Sequence, residues 1–272
     1  MSGLTKKVDT ASRVWREGGL SKFSSVVRLK AAMWWRRDDR LGLGRLRGAP
    51  SRLVRLDGCK FDTGDNEHLR ELLLSGVHEQ PERLALARFL DERLPAVEFG
   101  GCIGVVACLT NSRLADPTRH VVVEANPDLL GLLEANRDRN GCRFEVLHRA
   151  VAYGAEEVTF HVAENVLASS VQAAAPKTVT VPAVTLAGIL DDRGFERCTL
   201  ICDIEGGELG LVENELDVLR ERVACFIAEV HEQMLGAEVT GRMLDALGRA
   251  GFEQVFEQDE TYVFRNRRLL AG

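Results

Sequence analysis

Residues 96–126 read AVEFGGCIGVVACLTNSRLADPTRHVVVEAN. A short apolar run from Pro95 to Phe99 breaks into glycines, becomes an apolar-rich stretch from Ile103 to Leu114, and is followed by a second apolar run ending at Glu124. That order predicts a strand, a tight turn, a helix and a parallel strand. The glycines fall as Glu98-x-Gly100-x-x-x-Gly104, which is not the Gly-x-Gly-x-x-Gly of dinucleotide binders. Residues without a side chain let backbone amides close on a ligand where a strand turns into a helix. Glu124 stands 20 residues after Gly104, at the carboxyl end of the next strand, where an acid can grip a ribose diol. The stretch therefore points to an adenosine-type cofactor. The plainer alternative is a βαβ turn whose glycines serve packing alone.

Outward from this unit the alternation continues. Strands are predicted at 143–148, 157–162, 178–184, 199–203 and 223–231, and helices at 127–139, 185–192, 207–219 and 240–250. Gly251 supplies the expected glycine stop. Two closing strands, 252–257 and 260–266, complete an α/β fold: a mostly parallel twisted sheet with a C-terminal antiparallel hairpin at one edge. Upstream, residues 52–63 alternate as a strand pair turning near Asp57-Gly58. Asp65 is expected to cap a helix to about Leu74, and a further helix spans 81–93. Three segments result: a basic head at 1–50, a lead-in at 51–94 and the core at 95–272.

Composition narrows the class. The chain has 272 residues, a net charge of −6 and seven cysteines. An odd cysteine count without a C-x-x-C pair argues against a disulfide framework and a zinc site, so a reduced, cytoplasmic protein is expected. No apolar run approaches a membrane span and no signal peptide opens the chain. Residues 1–60 carry 15 Lys and Arg against 5 Asp and Glu, leaving 20 against 36 elsewhere. An acidic body is a poor partner for nucleic acid, and none is expected. The head spaces Leu20, Phe23, Val26, Val27 and Trp34 as one helix face. Its readings are an accessory helix docked on the acidic body, a helix touching anionic lipid, and an oligomer contact such as a homodimer.

Ligands of open α/β sheets sit outside the carboxyl ends of the strands. Glu124, Asp203, Glu229 and His231 all fall there, and their convergence is the main functional signal. His78 and Glu79 stand in a loop ahead of the core. A carboxylate closing the apolar run Leu200-Ile-Cys is costly without a role, which singles out Asp203. His231 is the first candidate for a general base, because histidine titrates near neutral pH, with Glu229 as its orienting partner. Asp203 or Glu205 is the second candidate. Glu205 and Glu208 can also serve simply to begin a helix, and for Glu208 that reading is preferred. Asp203, Glu229 and His231 form the ligand set should Mg²⁺ be used.

Several of these motifs fall in register with a known family. Glu98-x-Gly-x-x-x-Gly, Val-Glu124-Ala-Asn126-Pro127, Ala150-Val151, Ser169-Ser170, Asp203-Ile-Glu205-Gly-Gly-Glu208, Glu229-Val-His231 and the upstream Gly-x-His78-Glu79 resemble FkbM-type methyltransferases. The resemblance covers about residues 52–265. It departs from the usual pattern at Glu98, where aspartate is commoner, and at Gly101-Cys102, which replaces Ala-Asn. It implies a Rossmann-like class I methyltransferase fold and S-adenosylmethionine (SAM) as cofactor. It further implies methylation of a hydroxyl on a carbohydrate, oligosaccharide or glycosylated metabolite; the Arg-rich composition suits an actinobacterial polysaccharide O-methyltransferase. Carried over by position, Gly100, Gly101 and Gly104 border the methionine part and Glu98 organises their loop. Glu124 holds the ribose, the Ala150-Val151 backbone borders adenine, and His78, Glu79, Ala125, Asn126 and Asp203 complete the cofactor contacts. Two rivals stand beside this reading: a nicotinamide-dependent oxidoreductase, and a catalytically silent scaffold of the same fold at a membrane surface.

Overall fold

The computed structural model describes residues 52–162 and 177–270. The head and the Ser169-Ser170 pair, with the roles expected of them, lie outside the described residues. The chain divides into two compact units, one taking in the described residues 52–58 and Thr63–His78, the other Cys59–Asp62 and Glu79 onward.

In the first unit, strand β1 (Leu53–Leu56) alternates and buries Val54 and Leu56. Asp57 and Gly58 take positive φ at the predicted turn. Helix α1 (Glu67–Ser75) follows. Its cap is Asn66, one residue beyond the expected Asp65: the Asn66 side chain accepts from the Leu69 N–H at 2.9 Å. Asp65 pairs instead with Arg52. Either residue type can cap a helix, so the sequence alone did not separate them.

The second unit is built on a seven-stranded sheet. In chain order its elements begin with β2 (Cys59–Asp62), α2 (Gln80–Phe89), β3 (Ala96–Phe99), α3 (Val105–Asn111), β4 (His120–Glu124), α4 (Pro127–Arg139) and β5 (Glu145–His148). After β6 (Ala150–Val151), β7 (Glu157–Val162), β8 (Lys177–Val184) and α5 (Leu186–Asp192) come β9 (Cys198–Cys202), α6 (Glu208–Arg222) and β10 (Val223–Glu229). The chain closes with α7 (Glu232–Leu235), α8 (Ala237–Ala250), β11 (Phe252–Gln258), β12 (Thr261–Asn266) and α9 (Arg267–Leu270). The sheet order is β11-β12-β10-β9-β3-β4-β5. β3, β4, β5, β9 and β10 pair in parallel, and β12 lies antiparallel between β10 and β11. The β11-β12 hairpin thus forms one edge, as expected, with β12 on its inner side. Tyr262 and Phe264 of β12 stack at 6.1 Å, and Phe264 meets Phe226 of β10 at 6.0 Å. β6, β8 and β7 form a separate three-stranded sheet.

Period-two alternation divides the sheet faces. Val97, Phe99, Val121, Val123, Leu200, Cys202, Phe226 and Ala228 join one core cluster with Leu186 and Leu190 of α5, Leu211 and Leu219 of α6, and Met243 and Leu247 of α8. Glu98, Val122 and Ile201 take the other parity, the register placing them side by side. α4 starts where predicted, with Asn126 as cap and Pro127 in the first turn. Its far end clips β2 through amide side chains: Asn136 bonds both backbone groups of Asp62, and Asn140 both of Lys60, all at 2.7–3.0 Å. α8 ends at Gly251 with φ +102°, the glycine stop foreseen. All seven cysteines are free thiols. Among the described residues no helix is long and apolar enough to cross a membrane.

Candidate active site

The carboxyl ends of β3, β4, β9 and β10 bring the predicted polar residues to one rim of the second unit. At β3 the chain turns through Gly100, whose N–H, like that of Gly101, donates to the Val123 carbonyl at 3.0–3.1 Å. Gly104, with φ +88°, opens α3. Packing within the protein also bears on these glycines. A Cβ on Gly100 would lie 1.8 Å from the Asp203 carbonyl oxygen. One on Gly101 would lie 2.6 Å from Val122, and one on Gly104 2.8 Å from Leu133. The protein's own packing already excludes a side chain at all three positions.

Glu124, at the end of β4, holds this loop. One carboxylate oxygen accepts from the Cys102 N–H and the other from the Asn126 N–H, both at 2.7 Å. The Ala125 and Gly101 N–H groups also act on the same carboxylate. Burial pushes the Glu124 carboxyl up to about 7, against the pull of these backbone donors. Glu98, expected to organise the loop, does not bond it. Strand alternation turns its carboxyl below the loop, where neither oxygen has a hydrogen-bond partner among the described residues and His120 Nε2 is 3.6 Å away. Burial raises the Glu98 carboxyl well above its ordinary range, helped by Glu79, Asp203 and Glu124, and takes His120 down to about 3. Burial thus favours the neutral form of each. Ala125 packs against the cluster of Ala150 and Val181.

At the end of β9, Asp203 donates its N–H to the Phe99 carbonyl at 2.9 Å. This bond ties it to the strand that leads into the glycine loop. β10 ends at Glu229, and His231 follows as the residue before α7 rather than as the last of the strand. Nε2 of His231 faces Glu205 Oε2 at 3.5 Å, Asp203 Oδ1 at 3.6 Å and Glu229 Oε1 at 4.0 Å. Its other nitrogen, Nδ1, lies 3.1 Å from Glu208 Oε1. Glu208 is wholly buried and also accepts from the N–H groups of Ile204 and Gly206. The orienting partner of His231 is thus Glu208, not Glu229, and Glu208 does more than begin a helix. One ligand atom from each of Asp203, Glu205 and His231 fits within a 4.8 Å span; Glu205 takes the place in this trio that was expected of Glu229.

Electrostatics sets this rim apart. Burial alone would lower the His231 imidazole, but the hydrogen bond and charge of Glu208, with Asp203 and Glu205, raise it to about 10. The expectation that His231 titrates near neutrality is therefore corrected: its acidic surroundings shift it towards the protonated form. Burial likewise lifts Asp203 well above the usual carboxylate range, Glu229 to about 9 and Glu79 to about 8. The sequence reading passed over Glu82, a buried acid of α2 that bonds Thr261 and adds to the charge felt by Asp203 and Glu229. The signal was available, because Glu82 shares its helix stripe with the buried Ala85, Leu86 and Phe89. Of the predicted site residues, Glu79 lies in the second unit with the rim, whereas His78 belongs to the first unit.

The profile of the Methyltransferase FkbM domain matches residues 98–254, more than half of the chain. The comparison with curated proteins gives no match. Among solved structures, the chain is similar to a precorrin-6y C5,15-methyltransferase from Geobacter metallireducens, with 13% identity, TM-score 0.42, and 75% of this chain and 91% of that one covered. It is also similar to the tRNA (uracil-54, C5)-methyltransferase of Pyrococcus abyssi in complex with S-adenosyl-L-homocysteine, with 11% identity, TM-score 0.45 and coverages of 80% and 45%. Aeropyrum pernix fibrillarin with bound S-adenosyl-L-methionine gives 12% identity, TM-score 0.40 and coverages of 80% and 83%.

Proposed function

The chain belongs to the FkbM methyltransferase family, and we propose that it moves a methyl group from SAM to a hydroxyl of a carbohydrate, oligosaccharide or glycosylated metabolite. One observation carries the reading. Glu124 and its loop close one side of the rim, and Asp203, Glu205, Glu229 and His231 meet on the other. The residues suit the donor: an acid at the end of β4 is the group that matches a ribose diol, and the loop beside it is pinned at Cys102. In this proposal Glu124 holds the ribose, the Gly100–Gly104 backbone borders the methionine part, and Ala125, Asn126, Ala150 and Val151 line the adenine side.

When bound, SAM supplies a methyl group on a sulfonium, whose charge is lost on transfer. The protein's work is then to position the acceptor oxygen, exclude water and receive a proton. Asp203 is the rim carboxylate tied to the strand leading into the donor loop, so its side chain is placed to meet both substrates. Carboxylates and a fixed imidazole suit the hydroxyls of a neutral polyol. Acid side chains outnumber the one imidazole at this rim and offer phosphate few partners, which favours uncharged sugars over nucleic acid.

Isotope-labelled SAM, mono- and oligosaccharides, and RNA as the contrasting acceptor test this directly. A mass gain in a sugar hydroxyl is expected; methylation of RNA alone would overturn the acceptor class.

Glu124 also gives the donor site a pH dependence. Its carboxyl is raised to about 7, and ribose hydroxyls donate best to the ionised form. Affinity for S-adenosylhomocysteine should therefore be flat above about pH 8 and fall about tenfold per pH unit below about 7. Glu124→Gln should bind weakly at every pH. Calorimetric titrations across that range read both effects, and a pH-independent wild type would contradict the role of Glu124.

A further inference from the structure

We propose that Asp203, Glu205 and Nε2 of His231 form a seat for one hard divalent cation of the Mg²⁺ or Mn²⁺ type. The geometry is that of a ligand set rather than of a closed hydrogen-bond network. Nε2 stands 3.6 Å from Asp203 Oδ1 and 3.5 Å from Glu205 Oε2, too far for good hydrogen bonds. These are separations that neighbouring ligands take around a cation coordinated at about 2.0–2.6 Å. The three donor atoms lie within 4.8 Å of one another.

Two further observations point the same way. The Oδ1 atom of Asp203 is buried and has no hydrogen-bond partner among the described residues. The imidazole is also prepared from behind: Glu208, with no exposed surface, faces Nδ1 at 3.1 Å and is itself fixed by two backbone donors. A carboxylate on the far ring nitrogen is the usual device that holds a metal-ligating histidine in the right tautomer. With nothing between them the two carboxylates favour a proton on Nε2, and a cation seated there would take that proton's place on the ring nitrogen, releasing it to solvent.

Two oxygens and one nitrogen on a solvent-accessible rim suit a cation that keeps several waters. Those water positions are where two adjacent hydroxyl oxygens of the acceptor can bind. This last step rests on the carbohydrate reading above, whereas the cation seat does not. Glu229, whose Oε1 lies 4.0 Å from Nε2, stays outside the seat and beside the acceptor.

The test is Mn²⁺ titration of the full chain, followed by electron paramagnetic resonance with Mg²⁺ as competitor. Wild type should bind one Mn²⁺ that Mg²⁺ displaces. Glu205→Gln should weaken it at least about tenfold, and Glu208→Gln by about 10–100-fold through loss of the outer partner. Calorimetry with S-adenosylhomocysteine on the same samples shows that the fold and donor site persist in the variants. Absence of Mn²⁺ binding, equal binding by wild type and Glu205→Gln, or a site that takes Zn²⁺ but not Mn²⁺ would overturn the proposal. Intact Mn²⁺ binding without S-adenosylhomocysteine binding would instead strike the methyltransferase reading.

Discussion

Gly100→Ala is expected to lower the melting temperature of the protein by about 6–12 °C and to remove donor binding. The residue has φ +91°, and an added Cβ would sit 1.8 Å from the backbone oxygen of Asp203. A left-handed conformation costs an L-residue about 1–2 kcal/mol. Overpacking against a rigid neighbour costs about 1–3 kcal/mol more. A total of about 3 kcal/mol in a unit of this size gives the stated shift. The clash falls on backbone, so no rotamer change relieves it. Relief requires β3 and β9 to part at their carboxyl ends, where the donor loop and Asp203 meet. Gly131 is the control: it lies in α4 with nothing within 4 Å of its would-be Cβ, so alanine there should be neutral or slightly stabilising. Equal melting curves for the two variants would show that the turn is not the rigid element described.

Asp203→Asn is expected to reduce kcat by about 10³-fold while leaving affinity for S-adenosylhomocysteine within a few-fold of wild type. The amide keeps the volume of the side chain, and the backbone bond to Phe99 is untouched. It removes the carboxylate that receives or steers the hydroxyl proton, a contribution of about 10²–10⁴-fold. Single-turnover transfer to whichever acceptor the screen identifies reads the effect. A variant as fast as the parent would place the chemistry elsewhere on the rim.

Much of this fold was legible because periodicity and glycine stops mark elements locally. The βαβ unit at 96–124, the Asn126-Pro127 start of α4 and the Gly251 stop lie where the residues put them. The order of the last strands was less accessible. Alternation in 252–266 shows two strands, but only the aromatic packing of Tyr262, Phe264 and Phe226 shows β12 inserted beside β10. Turn glycines say that a side chain is disfavoured without saying what disfavours it, so the approach of Asp203 to Gly100 and of Val122 to Gly101 was not legible in the sequence. The acids were misjudged for a related reason. Glu208 shares a helix stripe with the buried Leu211 and Val212, and Glu82 with Leu86 and Phe89. A charge on an apolar stripe is costly unless partnered, so both positions could have been flagged. Their partners, His231 and Thr261, are 23 and 179 residues away, beyond the reach of any local pattern.

The account rests on a donor site for SAM beside the acidic rim. Calorimetric titration of the purified chain with S-adenosylhomocysteine, and separately with NAD, tests this most directly. Saturable binding of S-adenosylhomocysteine with no heat from NAD is the predicted result; binding of NAD alone would contradict it.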